Sequence, residues 1–397
     1  MEYCKKCVQP DTRPGIIFVN GVCGACVYEE EKARINWQER RDELHQIADW
    51  ARNQQRTYDC AIGVSGGKDT TFQAFYARDT LGLHPLLVNC EPDEITDIGR
   101  HNIENLKQSG FDTITIRPNP KVLRGLMRRD FFRYLNPGKV TEYCLWASTY
   151  IIADTFNIPL VIQGENASYT QGVRGCISLG GDCLDAINKR TTADDRYEIY
   201  TDGDVTERHL FFYGYDIEKL RAKDIRGVWL GYYVQEWAQR TNARFAIEHG
   251  MHIRPPHTNP RANGTYIRYF QLDSNLVFVN QFLKWVKFGF GQTTDHANYD
   301  IRDGHITREE GIALVKAFDG KCAPRYRDDL CRTIGISLQE FDVTVARFWG
   351  PMFDKPYTIK EPIWEQFPPQ VDVDAVIRRL DKILDKNVDI SVDKVLQ

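Results

Sequence analysis

Cys60-Ala61-Ile62-Gly63-Val64, followed by Ser65-Gly66-Gly67-Lys68-Asp69-Thr70, decides the fold. The first five residues are a short apolar run of the kind that makes a buried strand, and Ser65-Gly66-Gly67 is a turn. Residues 68–81 then carry Phe72, Phe75, Tyr76 and Thr80 at helical positions. The same alternation continues with a strand at 85–90, a helix at 95–109, a strand at 113–116, a helix at 143–156 and a strand at 160–163 that ends in Gly164-Glu165-Asn166. Strand–helix alternation predicts an α/β fold built on a parallel, doubly wound sheet. Ligands of such sheets bind outside the carboxyl ends of the strands, where both Ser65-Gly66-Gly67 and Gly164-Glu165-Asn166 fall.

The loop has the chemistry of a phosphate cradle. It is not a Walker A sequence, which needs Gly where Ile62 stands and Ser or Thr where Asp69 stands. Gly66 and Gly67 let backbone approach an anion, and the following helix start offers free N–H groups and a positive dipole end. Ser65 and Thr70 add hydroxyl donors, Lys68 adds positive charge, and Asp69 can hold Mg2+ through oxygen. A bare Ser-Gly-Gly would be only a capped strand-to-helix turn. Lys, Asp and Thr at these offsets favour phosphate binding.

Outward from this unit, Cys4, Cys7, Cys23 and Cys26 form two C-x2-C pairs with 15 residues between them. Four thiolates from two tight turns complete a closed tetrahedral zinc site, which is structural rather than catalytic. The insert reads as a hairpin around Ile16-Ile17-Phe18-Val19, so residues 1–27 are expected to be a zinc ribbon. Residues 28–56 are charged and free of Pro and Gly, and read as a linker helix. The nucleotide domain is expected over 57–204, and a helical, aromatic-rich region over 205–397, with helices at 225–240, 278–287, 308–318, 338–348 and 373–386.

With 397 residues, 42% hydrophobic and 27% charged, the chain reads as soluble and globular. No apolar run approaches the ~18 residues of a membrane helix. The amino-terminal residues carry no readable secretory signal, so a cytoplasmic setting without membrane insertion is expected. A net charge of -4 lacks the basic footprint of a nucleic-acid binder. Eleven cysteines in such a chain point to metal and free thiols rather than disulfides.

Ser65 to Thr70 resembles the S-G-G-x-D-S loop of the ATP pyrophosphatase, or PP-loop, family, with Thr70 in place of the last serine. The resemblance implies a HUP-like fold and cleavage of ATP to AMP and pyrophosphate. It implies that Ser65, Gly66, Gly67, Lys68, Asp69 and Thr70 hold pyrophosphate and Mg2+, and that Asn89 and Cys90 lie near adenine. Gly164, Glu165 and Asn166 would face the reacting centre, Glu165 either as a Mg2+ ligand or as a loop cap.

Further on, Phe288-Gly289-Phe290-Gly291-Gln292-Thr293-Thr294-Asp295-His296-Ala297, then Asp300-Ile301-Arg302-Asp303-Gly304 and Ile306-Thr307-Arg308-Glu309-Glu310, resembles the N-acetyl sugar amidotransferases of surface-polysaccharide and flagellin-glycan pathways. These convert an acetamido group on a sugar to an acetamidino group. Thr294, Asp295 and His296 are expected on a Gly-rich turn. There His296 serves as general base with Asp295 orienting it, or is a loop histidine bound to backbone. Tyr169, Trp229, Tyr232, Tyr233, Trp237 and Tyr266 are either sugar-stacking or core. Lys121, Arg124, Arg128, Arg129 and Arg133 either receive sugar-nucleotide phosphates or form a solvated helix face. The chain lacks a recognisable glutaminase, so a separate glutaminase partner is expected to supply ammonia. Two other readings remain: a tRNA thiolase, which would draw on Cys144, Cys176 or Cys183, and an inactive nucleotide-binding regulator.

Overall fold

The computed structural model describes residues 1–170, 172, 180–184, 205–255 and 260–384. After a short antiparallel hairpin, β1 (Phe18–Val19) and β2 (Val22–Cys23), five parallel strands build the main sheet: β3 (Cys60–Val64), β4 (Pro85–Cys90), β5 (Asp112–Ile116), β6 (Leu160–Gln163) and β7 (Arg226–Trp229). Their order is β5-β4-β3-β6-β7. The chain steps outward from β3 to β5, then crosses back to place β6 on the other side of β3. The crevice between β3 and β6 is therefore the topological switch point of the sheet, the place where open α/β sheets bind ligands.

Both faces of the sheet are covered, and the inner strands β4, β3 and β6 divide their side chains between them. Cys60, Ile62 and Val64 of β3 pack with Phe72, Phe75, Leu106 and Phe245, whereas Ala61 packs with Trp146, Ala147 and Tyr150. Leu87 and Ile162 follow the first set, Leu86 and Val161 the second. Burial on both faces explains why these strands read as continuous apolar runs without alternation. The helices Lys68–Phe75, Asp97–Gln108 and Gln239–Glu248 supply residues to the first layer, and Lys139–Phe156 supplies the second.

Three expectations are corrected. Residues 225–240 do not form one helix: they give β7, the short helix Leu230–Tyr233 and the start of Gln239–Glu248. Gly227-Val228-Trp229-Leu230 is apolar without a period, and pairing with β6 decides its state. The sheet therefore runs past residue 204. Residues 28–56 fall into two helices, Gly24–Lys32 and Trp37–Asn53; the second starts where the Asn36 side chain accepts from Glu39 N at 3.2 Å. The third correction is the Gly-rich stretch around 291, which opens a helix, Gln292–Arg302. Its start is capped from afar. The Asp319 carboxylate accepts from Gly291 N and Thr293 N, each at 2.9 Å, and from the Thr294 hydroxyl.

Among the described residues, no helix is long and apolar enough to cross a membrane. The helices Leu276–Phe288, Pro324–Ile334 and Leu338–Ala346 pack with Pro120–Tyr134 around a further core that includes Phe131, Phe278, Leu283 and Leu330. Arg308–Phe318 and Leu338–Ala346 each begin with a capping box, Thr307 with Glu310 and Ser337 with Glu340.

Candidate active site

β3 hands the chain to the helix Lys68–Phe75 through two glycines with different tasks. Gly66 has φ +70°, and a Cβ there would lie 2.7 Å from Asn102 Cβ and 3.0 Å from Asn102 C on the neighbouring helix. Only glycine fits, for conformational and steric reasons together. Gly67 has φ -85° and ψ 174° at the helix N-cap, and a Cβ there would meet Ser65 Oγ at an ordinary 3.4 Å. Its bareness leaves the backbone open to a ligand. Gly66→Ala is thus expected to lower stability by about 1–3 kcal/mol, whereas Gly67→Ala keeps the fold and weakens nucleotide binding. Urea unfolding midpoints and a nucleotide titration of both variants check this; equal midpoints would refute the division of labour.

The first helical turn is already held in place. Lys68, only 7% exposed, donates from Nζ to Asp69 Oδ2 at 2.8 Å, and Asn242 Nδ2 donates to Asp69 Oδ1 at 2.8 Å. Thr70 Oγ1 donates to Gly67 O at 3.1 Å. The Gln73 amide donates to Asp69 O at 3.1 Å, and its far end occupies the space where Gly164 would carry a Cβ. Gln73 thereby joins the loop after β3 to the loop after β6.

These two loops face one cavity of about 310 Å³. Ser65, Gly67, Lys68, Asp69 and Thr70 line one side, and Gly164 and Glu165 another. The cover comes from far along the chain: Trp237, Gln239, the stretch Tyr269 to Asp273, and Tyr299. Burial pushes the Tyr269 and Tyr299 hydroxyls up, so both stay protonated donors, and it pushes the Asp273 carboxyl above the usual range. A second cavity of about 180 Å³ opens at the end of β4, where Cys90 and Asp93 meet Cys144. Leu145, Gln271 and Asp273 line both cavities, which makes them neighbouring chambers of one groove across the strand ends.

Several residues expected at the site are placed elsewhere. Asn166 is buried and fully engaged: Nδ2 donates to Tyr28 Oη at 3.0 Å and to Gly231 O at 2.8 Å, and Oδ1 accepts from Tyr169 N. Asn89 is 2% exposed, its side chain turned along the sheet to Thr115, and it lines neither cavity. Asp295 does not orient His296. Its carboxylate is taken by Arg13 and by Lys284 Nζ, the latter at 2.6 Å, and these two cations hold its pKa down at about 2 against the opposing effect of burial. The His296 Nδ1 instead lies 3.2 Å from Thr265 Oγ1. Successive helical residues diverge by ~100° around the axis, which separates the pair. Neither lines the cavity.

Of the aromatic candidates only Trp237 reaches it. Tyr266 donates to Asp300 at 2.6 Å, Tyr233 to Glu43 at 3.1 Å, Tyr169 is hydrogen-bonded to Asp303, Trp229 packs edge-on to Trp146, and Tyr232 stacks on Arg40. In the basic run on Pro120–Tyr134, Arg124 pairs with Asp93, Arg129 with Asp130, and Arg128 with the Gly335 carbonyl. Cys183 is buried and accepts from Tyr150 at its carbonyl, and Cys176 lies outside the described residues. Sequence reading missed Asn242, Tyr269, Asp273 and Tyr299. No local motif marks them, since each is brought in by tertiary packing.

Burial pushes the His296 imidazole down to about 3, so it is neutral at pH 7. In the unfolded chain it titrates near 6.5. Between those values the unfolded state takes up a proton that the native state refuses, so this residue makes stability fall as pH drops from about 6.5 toward 3. His296→Asn is expected to flatten that part of the profile, measured as urea midpoints from pH 7 to 4. An unchanged slope would refute it.

The four cysteines of the N-terminal pairs converge. All four are buried, and their sulfurs lie within 4.8 Å of one another. Zn–S bonds of about 2.3 Å in a tetrahedron put sulfurs about 3.8 Å apart, and Cys7 and Cys23 sulfurs are 3.6 Å apart. Backbone N–H groups of Lys6 and Cys23 point at Cys4 Sγ at 3.4 and 3.3 Å, as befits a thiolate acceptor. The set fits a metal such as zinc. This module is docked onto the last third of the chain: Val8 N donates to Asn298 Oδ1 at 3.0 Å, and Arg308 reaches the carbonyls of Cys7 and Cys4 at 3.0 and 3.1 Å.

Residues 263–367 match the family model described as the C-terminal domain of WbpG-like LPS biosynthesis proteins. That segment contains Tyr269, Asp273 and Tyr299 of the cavity wall and the helices on which the cysteine module docks. The Ser65–Thr70 loop and the cysteine pairs lie outside it. No curated protein matches the chain.

Proposed function

We propose that the protein is an ATP-dependent amidotransferase of lipopolysaccharide biosynthesis that converts an acetamido group on a sugar to an acetamidino group. One observation carries the reading. The phosphate-cradle loop after β3 and the loop after β6 open into a single cavity at the switch point, and the segment similar to WbpG-like LPS biosynthesis proteins supplies its opposite wall.

In this reading the substrate carbonyl oxygen attacks the α-phosphorus of ATP and pyrophosphate leaves. Ammonia adds to the resulting imidate carbon, gives up a proton, and AMP departs as the C–O bond breaks. Gly67 and Lys68 amides, the Ser65 and Thr70 hydroxyls and the Lys68 ammonium receive the pyrophosphate charge. Asp69 and Glu165 are the carboxylates that would hold Mg2+, which when bound neutralises phosphate charge. Tyr269 and Tyr299 are donors facing the same space and suit hydroxyl and carbonyl groups of a sugar. Ammonia comes from a separate glutaminase subunit.

The thiolase reading draws on Cys144, which reaches the second cavity. The net charge of -4 and the LPS-type segment weigh against it. The test is direct: full-length protein with Mg-ATP, ammonium and a panel of acetamido sugars releases AMP and pyrophosphate only with an amidine precursor. ADP as product would overturn the reading, and AMP release dependent on tRNA and a sulfur donor would favour the thiolase.

A further inference from the structure

Two sulfurs of the second cavity have no part in the reaction just proposed. Cys90 ends β4, Cys144 lies one turn into the helix Lys139–Phe156, and their Sγ atoms are 3.5 Å apart. Both line the cavity; Cys90 is half-buried and Cys144 is 1% exposed. Cys144 Sγ is also 3.9 Å from Ser148 Oγ. The two thiols share a hydrogen bond, which holds Cys90 below its usual range and Cys144 above. Cys90 is the more exposed of the pair, so a reagent in the cavity meets it first and Cys144 is the thiol that follows. Leu145, next to Cys144, is a large apolar residue 40% exposed, and it forms part of the wall between the two chambers.

We propose that Cys90 and Cys144 are a reversible disulfide site, oxidised by hydrogen peroxide, whose closure removes the groove from nucleotide. The Cys90 thiolate attacks the peroxide oxygen, the O–O bond breaks, and with one proton a molecule of water leaves a sulfenic acid on Cys90. The Cys144 sulfur then attacks the Cys90 sulfur, its proton leaves with the hydroxyl as a second water, and the S–S bond forms. Two thiols lose two electrons to one peroxide, and a dithiol reductant reverses the change. Bonding distance requires the sulfurs to close from 3.5 Å to about 2 Å. That movement draws the helix Lys139–Phe156, with Leu145, toward the end of β4 and narrows the shared wall.

The effect on nucleotide rests on the ATP reading; formation of the bond does not. Full-length zinc-loaded protein is treated with hydrogen peroxide, alkylated, digested and mapped by mass spectrometry, and Mg-ATP affinity is measured before and after. A Cys90–Cys144 cross-linked peptide, affinity at least tenfold weaker, and recovery of both with dithiothreitol are expected. Cys144→Ser should bind Mg-ATP equally before and after peroxide. Recovery of both residues as alkylated thiols, or a disulfide that leaves affinity unchanged, overturns the proposal. If the reduced protein fails to bind Mg-ATP, the amidotransferase reading falls, and the peptide map alone still decides whether the disulfide site exists.

Discussion

Asp69→Ala should release pyrophosphate at least a hundredfold more slowly than the parent chain while remaining folded. Its carboxylate lines the cavity from the first turn of the loop helix, fixed on one oxygen by Asn242 and on the other by Lys68. Such preorganisation is what a metal-assisted phosphoryl site requires, because donors and ligands must already be aimed when charge develops. Truncation strands the Asn242 amide, which is fully buried, at a cost of about 1–3 kcal/mol. Asp69→Asn keeps an acceptor and removes only the charge, so it should recover most of that stability and little of the activity. Circular dichroism, urea midpoints and single-turnover pyrophosphate release separate the two effects. A residual rate above one tenth of wild type in either variant would remove Asp69 from the metal site.

Cys4→Ser combined with Cys23→Ser should lose about one zinc per chain and destabilise more than the ribbon alone. A structural site of this kind contributes on the order of 10 kcal/mol to its own module. Here the module is also clamped to the helix Gln292–Arg302 by Asn298 and by the Arg13–Asp295–Lys284 ion cluster, and that helix carries Tyr299 into the cavity. Loss of metal is therefore expected to raise amide exchange in 292–302 as well as in 1–27. Unchanged zinc by elemental analysis would end the metal assignment, and exchange confined to 1–27 would end the coupling.

The sheet was largely readable from sequence. Pro85–Cys90 and Leu160–Gln163 are bounded apolar runs, and alternation with helical segments left one sheet type open to them. β7 was not readable. After Arg226 its residues Gly227, Val228 and Trp229 are apolar without alternation, and strand or helix was decided by the free edge of β6 rather than by local pattern. The turn from β3 into the helix Lys68–Phe75, which lines the cavity, was readable because its glycines, lysine and aspartate are consecutive. The cavity's cover was not: Trp237, Tyr269 and Tyr299 come from three separate segments, and no spacing rule links them. His296 and Asp295 were misjudged for a related reason. A glycine-rich stretch reads as a turn, and the carboxylate that makes it a helix start, Asp319, lies well downstream. Asn166 was assigned to the ligand because of its position after a strand, yet Tyr28 and Gly231 claim it.

The docking of the cysteine module sets an order of events during synthesis. Val8 and its acceptor Asn298 are 290 positions apart. At ~5–20 residues per second, about 15 s to a minute separates their translation. Over that interval the docking face of the module is bare, because Asn298 and Arg308 do not yet exist. A metal held by the four thiols during that interval would have to be held by the module alone, so the supply of zinc to a nascent chain would decide whether its first residues have anything to fold around.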